Sequence, residues 1–158
     1  MGEPARLAPV FEKYHAPLVA CPAPPPGTGQ HRLEISVVFT GAEFTAAALK
    51  RAAVLAGNLD ARITLIVPQV VPFPLPIASP PVLLDFQEAR LREIATLTPA
   101  ETVVRIYLCR DRWRLLEAVL RPHSLIVLGA RTEWRWLTRE HRLARKLRRA
   151  GHEVVMAE

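Results

Sequence analysis

The sequence predicts a doubly wound α/β domain, in which one parallel five-stranded sheet carries helices on both faces. Three observations predict this fold. Short, mostly apolar segments alternate with longer amphipathic segments from residue 32 to residue 158. Glycine, asparagine or proline marks most of the boundaries between them. The connections are short, and strict strand–helix alternation with short connections favours parallel strands that are covered on both sides.

Five segments have the composition of strands. Each is a short run rich in Val, Ile and Leu. The run at 124–129 is almost purely apolar, which is typical of a strand buried on both faces. The predicted strands are 33–39, 62–68, 102–108, 124–129 and 153–157.

Four helices are predicted between these strands. The first is rich in Ala and Leu and is predicted to stop at Gly57-Asn58, while Asp111 is placed to cap the third. In such a sheet, ligands bind beyond the carboxyl ends of the strands, where the strand order reverses. The predicted helices are 42–58, 82–97, 112–120 and 139–150, and the loops of interest are 40–43, 68–81, 109–112 and 129–138.

Residues 1–31 are predicted to form an arm or tail outside a domain that spans 32–158. They contain seven prolines, a composition that disfavours helix and central strand. Only the stretch Leu7–Tyr14 has a pattern compatible with one helical turn. The segment is therefore expected to be a disordered tail or an extended arm that lies on a partner or a second subunit.

The positive charge of the chain is concentrated in one segment. The formal net charge is +6, and residues 131–149 alone contain eight basic and two acidic residues. No apolar run is long enough to span a bilayer, and the N-terminus lacks the long apolar stretch of a secretory signal. Cys21 and Cys109 form neither a disulfide framework nor a metal cluster, so a reducing cytoplasm is the expected compartment.

Two stretches resemble the universal stress protein family. The first is Ile35-Ser-Val-Val-Phe-Thr-Gly, followed by an Ala-rich helix and Ala61-Arg-Ile-Thr-Leu-Ile-Val. The second is Ser124-Leu-Ile-Val-Leu-Gly-Ala-Arg, followed by a basic helix and Glu153-Val-Val-Met. The resemblance covers about 32–158 and implies the strand order 3-2-1-4-5, in the numbering of the predicted strands. It also implies a homodimer that pairs the last strand of each subunit, and some members bind ATP or AMP.

The loop after the fourth predicted strand bears on nucleotide binding. Binding members carry a Gly after this strand, a second Gly three residues later and a Gly-Ser or Gly-Thr that opens the last helix. Gly129 matches the first position, but Thr132 occupies the second and Glu140-His141 falls on the third. Thr40 stands where the family often has Asp, although Gly41 remains. Because an anionic Glu at a helix start is unfavourable for phosphate, the sequence predicts no bound nucleotide.

An alternative keeps a nucleotide site in the same place. In that alternative Arg131, Arg135 or Arg139 replaces the backbone amides as a phosphate ligand of ATP or AMP. The residues expected to bind the cofactor are then Thr40, Gly41, Val67, Gly129, Arg131, Thr132 and His141.

Two loops favour contact with other molecules. The loop at 68–81 contains six prolines and several large apolar side chains, including Phe73 and Leu75. Prolines reduce the entropy lost when such a segment is ordered. Trp134-Arg135-Trp136 lies where the family has a Gly-rich loop, and it is predicted to cover the empty site, to anchor a protein partner or to stack on bases.

The last predicted helix carries a basic face. The residues opposite its narrow apolar stripe are Arg142, Arg145, Lys146 and Arg149. This face is predicted to be solvated, or to bind an acidic protein, an anionic lipid surface or nucleic-acid phosphate.

No catalytic or metal-binding pattern is visible in the sequence. The histidines are not spaced as metal ligands, and no serine lies in a nucleophile-elbow motif. Cys109 ends the third predicted strand beside Arg110 and Arg112, where it is predicted to pack as a free thiol or to react as a thiolate. The chain is not expected to be an enzyme.

Three functions remain. The degraded nucleotide motif and the proline-rich segments favour a non-catalytic interaction or assembly module that binds no nucleotide. The second function is an ATP- or AMP-binding stress-response regulator that uses arginines. The third is a binder of nucleic acid or acidic lipid through the last helix.

Overall fold

Strands and helices alternate along the chain after an initial strand. The structure is a computed structural model that describes residues 9–15, 33–80, 84–131 and 138–158. Its strands are β1 Val10–His15, β2 Glu34–Val38, β3 Arg62–Val70, β4 Thr102–Cys109, β5 Leu125–Gly129 and β6 Glu153–Ala157. Its helices are α1 Ala42–Leu59, α2 Leu84–Thr96, α3 Arg112–Val119 and α4 Arg139–Arg149.

The strands form one parallel sheet with the order β1-β4-β3-β2-β5-β6. The predicted α/β class with a parallel sheet is confirmed. The prediction of five strands in the order 3-2-1-4-5 is wrong, because the sheet has six strands and β1 adds to the edge beyond β4. The other five strands, which the sequence did predict, occupy the remaining positions in the order β4-β3-β2-β5-β6.

The additional strand lies in the segment where the sequence predicted an arm. No proline interrupts residues 10–15, and the charged Glu12 and Lys13 follow the apolar Phe11. Charged side chains on a short strand are typical of a sheet edge. β1 pairs with β4 from Val10↔Val103 to His15↔Leu108. The helical turn predicted over Leu7–Tyr14 is therefore wrong at the residues that the structure describes.

Two apolar cores hold the helices on opposite faces of the sheet. Ile35 and Val37 belong to the core beneath α1 and α2, whereas Val38 belongs to the core beneath α3 and α4. Successive residues of a strand point to opposite faces, so adjacent apolar residues serve both cores. This explains why the central strands are continuous apolar runs rather than alternating ones.

The helix ends follow local chemistry. α1 continues through its predicted stop at Gly57-Asn58 and ends at Leu59, where Asp60 adopts a left-handed conformation with φ of 48°. The predicted cap of α3 is confirmed, because the Asp111 carboxylate accepts hydrogen bonds from the backbone N–H groups of Trp113 and Arg114 at 2.8 and 3.0 Å.

The strand order reverses between β2 and β5. These strands are neighbours, but α1 leaves β2 for one face and α4 follows β5 on the other. The reversal places Thr40 and Gly129 side by side at the carboxyl edge of the sheet, where open α/β sheets bind ligands.

Candidate functional site

The helix α1 lies directly against Gly129 at this edge. A Cβ atom built on Gly129 would lie 1.8 Å from the carbonyl oxygen of Phe44 and 2.3 Å from its carbonyl carbon. No backbone tolerates such a contact, so glycine is required here by the approach of α1 to β5. The structure thus gives this glycine, which the sequence placed in the cofactor site, a packing role.

Thr40 ties the two central strands together. Its hydroxyl donates a hydrogen bond to the carbonyl oxygen of Gly129 at 3.1 Å, and its backbone N–H donates to the hydroxyl of Thr45 at 3.3 Å. The hydroxyl and the backbone N–H of Thr40 therefore already have hydrogen-bond partners within the protein. The sequence-predicted pair Thr40 and Gly129 is brought together, with Gly41 next in the chain.

Arg112 enters the same region, although the sequence analysis considered it only as a neighbour of Cys109. Its guanidinium donates a hydrogen bond to the carbonyl oxygen of Phe39, at the end of β2. Its Nε is buried and has no hydrogen-bond partner among the described residues. Burial lowers the pKa of Arg112, and the negative charge of Glu140 opposes that shift. Glu140, whose carboxylate is unfavourable for phosphate, therefore supplies negative charge near the half-buried Arg112.

The remaining predicted cofactor residues lie in different elements of the fold. Val67 is only 3% exposed and belongs to the core beneath α1 and α2. Arg131 is exposed just beyond β5. His141 lies in the first turn of α4, where its Nδ1 is 2.7 Å from the hydroxyl of the capping residue Thr138. Thr132 lies outside the described residues, as do Trp134, Arg135 and Trp136.

Arg110 holds the loop that follows β3. Its two terminal nitrogens donate hydrogen bonds to the carbonyl oxygens of Val71 and Leu75, each at 2.7 Å. The same guanidinium lies 4.1 Å from the centroid of the Phe73 ring, a cation–π distance. Phe73 is nevertheless 81% exposed. Arg110 thus holds the loop while the aromatic side chain of Phe73 stays in solvent. The sequence analysis did not assign this role to Arg110.

The basic face of α4 is also exposed. Arg142, Arg145 and Arg149, hereafter the α4 arginine face, lie opposite the buried Ala144 and Leu147. None of the three arginines has an ion-pair partner within the described ranges.

Cys109 is poorly suited to act as a nucleophile. It is buried, and burial together with the nearby Asp111 charge raises the pKa of its thiol to about 11. The thiol is therefore protonated near neutral pH. Among residues 9–15, 33–80, 84–131 and 138–158, no cluster of three or more His, Cys, Asp or Glu could hold a metal ion. Nor does any helix in these ranges have the length and apolarity needed to cross a membrane.

The chain is similar to a solved structure, the crystal structure of a protein from the universal stress protein family from Burkholderia pseudomallei. The sequences are 25% identical, the match covers 81% of this chain and 97% of that chain, and the TM-score is 0.46. No family model matches the chain, and no curated protein matches it.

Proposed function

We propose that this chain is a non-catalytic interaction module that does not depend on nucleotide and that docks other proteins through the loop 72–80, hereafter the proline loop. The observation that carries this proposal is the Phe73 side chain, which contacts the Arg110 guanidinium and is largely exposed. An ordered, exposed aromatic residue is a typical anchor of a protein interface, because little conformational entropy remains to be lost on binding.

The groups at the switch point support the nucleotide-independent part of the proposal. Gly129 has no open space toward α1, since the Phe44 backbone occupies it. The Gly129 carbonyl and the Thr40 hydroxyl are bonded to each other. A phosphate near Arg112 would compete with Glu140 and would be repelled by it. The charge of Glu140 therefore disfavours a phosphate beside Arg112.

Affinity capture from the protein's own cells tests the proposal. Wild-type chain, Phe73→Ala and Phe86→Ala are each used as bait, with and without added ATP. Phe86 is a matched control, because it is also an exposed phenylalanine but lies on α2. We expect wild type and Phe86→Ala to capture the same partners, insensitive to ATP, and Phe73→Ala to lose them. Partners that survive Phe73→Ala would contradict the assignment of the docking surface.

The nucleotide-binding alternative has a direct test. Calorimetric titration with ATP and with AMP at millimolar concentration is expected to give no heat of binding. A saturable heat that Arg131→Gln or Arg139→Gln abolishes would favour the arginine-based regulator and contradict our proposal.

A second candidate function rests on the α4 arginine face. Three exposed guanidiniums without carboxylate partners among the described residues suit a polyanion, since arginine binds phosphate in a bidentate manner. If this face binds duplex nucleic acid, affinity should fall steeply as salt rises, and Arg142→Gln with Arg145→Gln should flatten that slope. Vesicles of anionic lipid form the parallel arm that separates a membrane surface from nucleic acid.

The resemblance to the family also implies a homodimer through the last strand. β6 lies at the end of the sheet order opposite β1, so its outer edge faces away from β5. Sedimentation velocity of the full chain tests this proposal, and a monomer at all accessible concentrations would contradict it.

A further inference from the structure

The α4 arginine face places like charges close together along one helix. Arg142 and Arg145 are three residues apart, and Arg145 and Arg149 are four residues apart. Residues at these spacings are neighbours on the surface of an α-helix, so their positive charges repel and destabilise it. The helix dipole favours basic residues only in the last turn, which contains Arg149 but neither Arg142 nor Arg145. The face therefore carries a repulsion that the helix itself does not relieve.

The other charged side chains of α4 are used within the protein. The Arg148 guanidinium donates a hydrogen bond to the carbonyl oxygen of Val154 at 2.9 Å. The Lys146 Nζ lies 4.0 Å from the centroid of the Trp113 ring on α3. The guanidiniums of the α4 arginine face have no such partner in the part of the chain that the structure describes. An external polyanion would relieve their repulsion.

The surface around this face has no apolar anchor for a lipid bilayer. Helices that lie in a membrane interface bury large apolar side chains among the lipids. Within the described ranges, the exposed large apolar residues belong to other elements, and none lies on α3 or α4. The apolar side of α4, which includes Ala144 and Leu147, is buried against the sheet. These observations favour a polyanion that is bound by charge alone.

The same surface favours a duplex over a single strand. Proteins that bind single-stranded nucleic acid combine positive charge with exposed aromatic rings on which bases stack. Trp113 is the aromatic residue of α3 and α4, and the Lys146 ammonium covers its ring. Duplex DNA also offers the denser charge, about one phosphate per 1.7 Å of its axis. The three guanidiniums, which span about 10 Å along α4, therefore meet several phosphates of a duplex.

The exposed side chains of α4 offer no group that distinguishes bases. Sequence readout needs side chains that reach base edges, and amide side chains are typical of it. α4 contains no Asn or Gln, and its arginine face consists of guanidiniums alone. Because contacts to phosphate carry no sequence information, binding through this face is expected to be independent of sequence.

We infer that the α4 arginine face binds the phosphate backbone of double-stranded nucleic acid, without reading its sequence. The inference rests on the second candidate function, that of a polyanion binder, and names its ligand. Arg142, Arg145 and Arg149 each contact a phosphate, and the external phosphates supply the negative charge that the described part of the chain does not place beside them.

Fluorescence anisotropy of the full chain with two labelled DNA duplexes of unrelated sequence tests this inference. The triple variant Arg142→Gln, Arg145→Gln and Arg149→Gln removes the three contacts. Between about 50 and about 200 mM salt, wild type should lose about 40-fold more affinity than this variant, since each phosphate contact adds about 0.9 to the salt slope. Both duplexes should bind equally well.

A matched control removes the same charge elsewhere. Lys50→Gln, Arg51→Gln and Arg90→Gln change exposed residues of α1 and α2, on the opposite face of the sheet. This control should keep the wild-type salt slope. An equal loss of slope in both triple variants would overturn the inference, because net charge alone would then explain binding. A strong preference for one duplex would also contradict it.

The alternative ligands are measured in parallel. Vesicles of anionic lipid, or a single strand with the same number of phosphates, that bind more tightly than the duplex would overturn the inference but leave the polyanion function standing. If none of the three ligands binds, both fail. Thermal melts check the fold, and the triple variant should melt no lower than wild type, because repulsion is removed. Should it not fold, Arg145→Gln alone should lower the slope by about 0.9.

Discussion

The carbonyl oxygen of Phe44 lies 1.8 Å from the point where any side chain at position 129 would begin. This contact joins the first helix to the fifth strand at the place where the sheet changes direction. It explains a glycine at this position through helix packing, without reference to a ligand.

Gly129→Ala is therefore expected to destabilise the protein. The obstructing atoms belong to backbone, so α1 must move away from β5, at a cost of about 1–3 kcal/mol in the free energy of unfolding. Chemical denaturation measures this change. Gly57→Ala is the control, because a Cβ there meets nothing within 4 Å. Gly57 is also helical, so this variant should gain about 0.5–1 kcal/mol. Equal stability of Gly129→Ala and wild type would contradict the packing account.

Arg110→Met should loosen the proline loop without unfolding the domain. The variant removes two hydrogen bonds to loop carbonyls and the contact with the Phe73 ring. Hydrogen exchange should accelerate at the amides of Leu75 and Ser79, which form the turns of the loop. Arg114→Met, on the exposed side of α3, should leave these rates unchanged. Unchanged hydrogen-exchange rates in Arg110→Met would show that the loop keeps its turns without Arg110.

Cys109 should resist alkylation in the folded protein. Burial raises the pKa of its thiol to about 11, so the thiolate is scarce at neutral pH. In a Cys21→Ser background, iodoacetamide should label the chain only after denaturant is added, as followed by intact mass. Rapid labelling of the native protein would revive the reactive thiolate that the sequence left open.

The free energy of unfolding is expected to fall at acidic pH, because His152 becomes protonated. Burial, with a smaller contribution from the charge of His123, lowers the pKa of His152, whose Nδ1 lies 3.0 Å from the Ser124 hydroxyl. The unfolded chain binds this proton more readily, so the free energy of unfolding falls as pH drops from above the unfolded pKa of about 6.5 toward the lower folded pKa. Thermal melts at about pH 8 and about pH 5 measure the effect.

His152→Gln should reduce this pH dependence, because the titrating group is gone. His141→Gln, at the other end of α4, should keep it. A pH dependence identical in His152→Gln and wild type would assign the effect to other groups.

The central strands could be predicted from the sequence because burial on both faces leaves an unbroken apolar run. Ile35 and Val38 lie in different cores, yet both belong to one apolar run. Such a run is typical of a strand that is buried on both faces. β1 has no such signal, since its charged residues find partners in β4 and α2, far away in the chain. The sequence did not predict this strand because it depends on contacts between residues far apart in the chain.

The sequence predicted where the candidate site lies, but not the arginine contacts that form it. Thr40 and Gly129 meet as the strand order requires. The contacts of Arg110 and Arg112 were missed because an arginine beside a helix cap is usually solvated, and nothing local shows that a carbonyl group lies within its reach. Val67 was placed in the site but lies in the core, because the alternation along β3 turns it toward α1 and α2.

The position of β1 also affects how the chain is made. β1 leaves the ribosome before the other described elements, but its partner β4 ends at Cys109, after α1, β3 and α2 have been synthesised. During most of translation the strand has an unpaired backbone and an uncovered Phe11. Pairing over so large a sequence separation is slow. A nascent chain on a crowded polysome therefore offers this strand to neighbouring nascent chains before its own β4 exists.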